Sequence, residues 1–198
     1  MNRLNLGLAI CLLTTCVASS STDAAVVTGP IVNPANGNSY YLLENDTWTN
    51  SQAEAVTLSG NLVTINDAAE NQWVFDTFGD FGGVQRNLWI GYNDEAVDGT
   101  FVWVSGETPG YTNWNPGEPN ASNDGPGGED YAVITAPAFS GSGVWNDTED
   151  TLLGRHELGG IEYPNFGVVE IAVPEPSSLV LFSVVGLSCL VRRRSRVW

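Results

Sequence analysis

The sequence predicts an α+β domain. Three observations carry this: two short amphipathic segments with helix-capping residues lie between residues 47 and 79, four short β-branched and aromatic runs follow, and a long aperiodic stretch interrupts those runs. The chain has 198 residues, which suits one domain plus processing segments.

The N-terminus, "MNRLNLGLAICLLTTCVASSSTDAA", has one basic residue, a largely apolar run from Leu4 to Ala18, and then small residues. This is the pattern of a secretory signal peptide over residues 1–25, cut near Ala24 or Ala25. A lipoprotein signal at Cys16 is the rival reading, which Thr15 disfavours. Residues 26–38 are expected to form a polar, turn-rich lead-in, and "SYYLL" a first strand. In "TWTNSQAEAVTLSG", Thr49 and Gln52 form a capping-box pattern and Gly60 is placed to stop the helix. "NLVTI" reads as a short strand. The second helix is expected from Asp67, with Glu70 as reciprocal cap and Ala69, Trp73, Val74 and Phe78 along one apolar face. "LWIG", "TFVWV", "DYAVI" and "FGVVEI" then read as a small antiparallel sheet.

Residues 105–128 have little periodicity, and a loop of that length inside a compact domain points to function or disorder. Tyr111 and Trp114 inside it argue for order. Charge sharpens the reading. Of 23 acidic residues only Asp23 and Glu175 lie outside 26–173, leaving 21 carboxylates there against Arg86 and Arg155, and the chain has no lysine. Such a surface repels nucleic acid and anionic lipid and attracts cations. Calcium takes about six to eight oxygen ligands from carboxylates, amides and backbone carbonyls. Glu118, Asn120 and Glu129 from the loop, with Asn146 and Asp147 after Trp145, form such a set. No cysteine or paired histidine in the region offers a zinc or copper alternative. Solvated acidic turns remain the plainer reading of the same composition.

The order of these blocks resembles the C-type lectin domain over residues 47–170. "TWTNSQAEAVTLSGNLVTI" resembles its first helix and following strand, "LWIGYND" its Trp-Ile-Gly strand, and "YTNWNPGEPN", "GGEDYAVI" and "VWND" its calcium-loop blocks. The resemblance implies two helices, two small antiparallel sheets and a long calcium-binding loop across a domain of residues 26–173. It implies a calcium and sugar site at Glu118, Asn120, Glu129, Asn146 and Asp147, with a cis peptide bond before Pro119. It also implies an accessory calcium site at Asp94, Asp98, Glu129 and Asp130, where Ala121 replaces a family acid and Asp124 is the available substitute. Ala55, Tyr131 and Val169 stand at family cysteine positions, so both disulfides are expected to be absent. The Glu-Pro-Asn order resembles that of members taking mannose, glucose, fucose or N-acetylglucosamine.

The implied partner is a glycan on an extracellular surface, and the implied role is binding rather than catalysis. Glu118 and Glu129 superficially offer a glycosidase-type carboxyl pair, but both belong to the cation set. His156 has no evident nucleophile partner and reads as a surface-loop residue. A protein-binding or matrix module on the same fold is the alternative.

The C-terminal block 174–198 joins Pro-Glu-Pro, a short apolar run and an arginine cluster. It resembles a PEP-CTERM sorting tail, which implies an exosortase-type processing enzyme, export to the cell surface or beyond, and membrane contact only through this tail before processing.

Overall fold

The computed structural model describes residues 25–120, 128–155 and 162–173. Residues 1–24 of the expected signal peptide, the sorting tail, Asp124 and His156 lie outside the described residues.

Residues expected to be a turn-rich lead-in form a strand, β1 (Val26–Val32), paired with β2 (Ser39–Asn45). The pairing is irregular where the Gly29–Pro30 peptide bond is cis, and proline is tolerated there because β1 is an edge strand. Helix α1 (Trp48–Thr57) follows. Its cap is Thr47, which accepts the Asn50 N–H, rather than Thr49. Asp150 explains the shift: its carboxylate accepts both the N–H and the hydroxyl of Thr49, at 3.1 and 2.6 Å, and draws Thr49 into the first turn. Gln52 is therefore free of capping and accepts the Leu62 N–H at 2.9 Å. Helix α1 ends with Ser59 in the left-handed region, φ 66°. Gly60 follows because a Cβ there would lie 2.4 Å from the Glu170 carbonyl oxygen.

Strand β3 is only Asn61–Leu62, although Val63 and Ile65 beyond it are fully buried. Helix α2 (Ala68–Phe78) starts at Asp67 as expected. Asp67 accepts the N–H groups of Ala69 and Glu70, while the Glu70 carboxylate reaches one residue further back, to the Asn66 N–H. Val74, Phe75 and Phe78 enter the core, and Trp73 packs on Tyr40 and Phe78.

The remaining elements are β4 (Asn87–Asn93), β5 (Val102–Trp103), β6 (Tyr131–Ile134), the single turn α3 (Pro137–Ser140), β7 (Trp145–Thr148), β8 (Leu153–Arg155) and β9 (Glu162–Ile171). Among the described residues the strands run β1-β2-β9-β4-β6-β7, with β3 and β8 also on β9 and β5 on β4. Every pair is antiparallel except β4 with β9. The expected antiparallel sheets are thus joined into one mixed sheet by a parallel seam through its centre. That seam explains why all seven residues of β4 are buried.

The missing family bridges are replaced by packing. Ala55 on α1 and Val169 on β9 share an apolar cluster with Leu43. Tyr131 stacks on Trp48 with ring centres 4.6 Å apart and meets Trp89 edge-on.

Candidate functional site

The site begins with a buried tryptophan. Trp145 is fully buried, and its indole N–H donates to Asn71 Oδ1 at 2.6 Å. Tyr92, Trp103, Tyr111 and Trp114 surround it with ring centres 5.7–6.0 Å away. Tyr111 is therefore a prop beneath the loop. The loop backbone hydrogen-bonds to both sides of Trp145: Trp145 N–H to Asn113 carbonyl at 2.8 Å, and Asn115 N–H to Trp145 carbonyl at 2.9 Å. One further bond, Glu118 N–H to the Asn115 carbonyl at 2.9 Å, brings Glu118 alongside β7.

This arrangement draws the two parts of the predicted ligand set together. Asp147 is fully buried, and its two carboxylate oxygens accept the Asn120 N–H at 3.1 and 3.3 Å. The Asn146 amide lies 2.5 Å from the Asp147 carbonyl oxygen. The Glu118–Pro119 peptide bond is cis. Glu129 stands just before β6, whose residues 131–134 pair with residues 148–145 of β7. Glu129 lines a cavity of about 670 Å³ together with Thr47, Thr148, Glu149, Asp150 and Glu162. Among the described residues no three Asp, Glu, His or Cys side chains gather closely enough to hold a metal by themselves. Glu118, Glu129 and Asp147, the three carboxylates of the expected set, do not form such a group.

The accessory cluster is more strongly electrostatic. Asp94 is 3% exposed. Its Oδ2 accepts the Gly99 N–H at 2.7 Å, while its Oδ1 is buried with no hydrogen-bond partner among the described residues. Burial raises its pKa, and Asp130 and Asp98 raise it further. Asp130 is also raised, by burial first and then by Glu95 and Asp98. A buried carboxylate oxygen beside two more carboxylates is the environment a hard divalent cation neutralises. The orphaned Asp94 oxygen suits a hard cation, but these carboxylates do not gather closely enough to hold one without backbone or amide oxygens. Asp98 is exposed, at the rim.

The sequence reading missed the residues that hold the site in place. Asn71 joins Trp145 to the Gly143 carbonyl, and Asn113 donates to that same carbonyl at 2.8 Å. Asn71, on the face of α2 that buries Val74, Phe75 and Phe78, was the available signal. Glu95 was also missed; it is hydrogen-bonded to the Tyr131 hydroxyl.

The profile of the Lectin C-type domain family matches residues 44–152. The chain belongs to the C-type lectin domain family. A second profile, the PEP-CTERM protein-sorting motif, matches residues 172–196. The mouse low affinity immunoglobulin epsilon Fc receptor is 36% identical over 100 residues, which is 50% of this chain and 26% of the receptor. A perlucin-like protein of Mytilus galloprovincialis is 28% identical over 127 residues, covering 61% of this chain and 77% of that protein. Among solved structures, the cow carbohydrate-recognition domain of CD23, crystallised in the presence of a GlcNAc2Man3 oligosaccharide, aligns with TM-score 0.53 and 27% identity. That alignment covers 70% of this chain and 90% of the cow domain. The C-type lectin domain here spans only about a quarter of the mouse receptor it matches.

Proposed function

We propose that this C-type lectin domain binds carbohydrate in a calcium-dependent manner, using Glu118, Asn120, Glu129, Asn146 and Asp147. The observation that carries this reading is the junction of Asn120 with Asp147, which unites the Glu-Pro-Asn segment and the Trp-Asn-Asp strand on one buried carboxylate. Calcium, when bound, supplies open coordination positions that two neighbouring sugar hydroxyls take in place of water.

The protein's own side chains set the preference. Glu118 accepts hydrogen bonds only, whereas the Asn120 amide both donates and accepts. Their order favours the hydroxyl pair of mannose, glucose, fucose or N-acetylglucosamine over that of galactose. Asp94, Asp98, Glu129 and Asp130 would hold a second ion that braces the loop base. The site binds and does not catalyse: carboxylates committed to one cation stay ionised, whereas glycoside hydrolysis needs one of a pair protonated. The sorting motif supports export and exosortase-type processing, with presentation at the cell surface or beyond. Among the described residues no helix is long and apolar enough to cross a membrane.

A glycan array probed with residues 26–173 tests the reading. Binding to mannose-type sugars in calcium, abolished by a chelator, is the expected result. A protein-binding role has one observation in its favour, the identity shared with an Fc receptor. An array blank in calcium, with an intact metal site, would shift the reading to that role.

A further inference from the structure

A second acidic centre lies where β2, α2 and β9 meet. Glu70 and Glu170 both reach the hydroxyl of Tyr40, their Oε1 atoms lying 2.6 and 3.1 Å from it. A phenol has one hydrogen to donate, and two carboxylates have none. The shorter contact marks Glu70 as its acceptor. Glu70 also takes the Asn36 amide at 3.0 Å and the Asn66 N–H at 2.8 Å, as an ionised carboxylate does. Asn36 donates to the Tyr40 oxygen as well, at 2.8 Å. Glu170 receives the Asn38 amide at 2.6 Å and the Thr64 N–H at 3.1 Å. Its contact with Tyr40 has a hydrogen only if Glu170 brings it.

We propose that Glu70 and Glu170 share one proton, carried on Glu170 Oε1 and donated to Tyr40, and that this proton makes folding pH-sensitive at the centre that Asn38 clasps to the start of the sorting tail. The clasp is Asn38. Its amide nitrogen holds Glu170, and its Oδ1 accepts the Val173 N–H at 3.0 Å. Val173 lies within the span matched by the sorting motif.

Among the described residues, no positive charge acts on the pair to replace the proton. The other charged groups that act on the pair are Asp67 at the start of α2 and Glu107 beyond β5, both acidic. Burial raises both carboxyls, and Glu70 raises Glu170 further. Burial likewise raises the Tyr40 hydroxyl, so it stays protonated. A carboxyl whose pKa is higher in the folded than in the unfolded chain binds its proton more tightly when folded. The stability it contributes is full below the usual carboxylate range and is lost as pH rises toward the raised value. Acid stabilises the folded centre and alkali destabilises it.

The test is unfolding of the full chain in detergent with chelator, across about pH 4 to 8, compared with Glu170→Gln. As pH rises, the wild-type folding constant is expected to fall relative to the variant's by up to about tenfold per pH unit. Asp94, Asp130 and Glu54, also raised, titrate in both proteins and cancel. Glu70→Gln, which leaves Glu170 without its acidic neighbour, is expected to flatten the same profile and serves if the first variant folds poorly. A stability difference independent of pH would overturn the proposal, leaving a purely structural pair. So would calcium at constant pH stabilising wild type over both variants with no pH dependence, since an ion would then neutralise the pair.

Discussion

Replacing Asp94 by Asn is predicted to have opposite effects with and without calcium. The side chain is buried, its Oδ2 accepts the Gly99 N–H, and its Oδ1 has no hydrogen-bond partner among the described residues. Asp98 and Asp130 disfavour its charge. Asn keeps an oxygen for Gly99 and removes the charge. An unsatisfied buried polar group costs about 1–3 kcal/mol and more when ionised, so in chelator Asp94→Asn is expected to gain roughly 1–3 kcal/mol at neutral pH. An ion that binds only the folded state stabilises it by about 2.7 kcal/mol at a hundredfold excess over Kd. The variant forfeits most of that where Asp94 is a ligand. At about 2–4 °C per kcal/mol for a domain of this size, the variant should melt several degrees higher in chelator and several degrees lower in saturating calcium. Calorimetry of both proteins under both conditions reads this. Equal destabilisation in both would refute the reasoning, because Asp94 would then be satisfied without an ion.

Three further predictions address the frame and the loop. Trp145→Phe keeps most of the packing but strips Asn71 of its donor; a loss of about 1–3 kcal/mol, with weaker calcium binding by titration calorimetry, is expected. Ala55→Cys combined with Val169→Cys places cysteines at two neighbouring positions of one cluster; thiol counting should show oxidation, and melting should show a gain of about 2–4 kcal/mol. Exchanging the acceptor and donor order with Glu118→Gln and Asn120→Asp should move array binding from mannose-type sugars toward galactose, while an unchanged sugar profile would remove these residues from the specificity argument.

The parts of the fold legible in the sequence were those written locally. The Asp67 cap, the buried face of α2 and the strand runs at β4, β6 and β9 each follow from neighbours a few residues apart. Long-range partners explain the differences. Asp150 moved the α1 cap to Thr47, and pairing with β2 made a strand of a turn-rich segment. The parallel seam of β4 with β9 joins residues far apart in the chain. Within the site, the order of the blocks identified Asn120, Asn146 and Asp147, which the structure brings together. The asparagines that fix Trp145 and the Tyr40–Glu70–Glu170 centre gave little warning. A lone glutamate in the apolar run "FGVVEI", in a chain without lysine, was the only hint of the latter.

The central claim is that Glu118, Asn120, Glu129, Asn146 and Asp147 converge on one calcium ion. Anomalous diffraction from crystals of residues 26–173 grown in ample calcium tests it most directly. The account predicts a peak enclosed by oxygens of those five side chains; their separation around an empty space, in crystals that diffract well enough to show bound calcium, would contradict it.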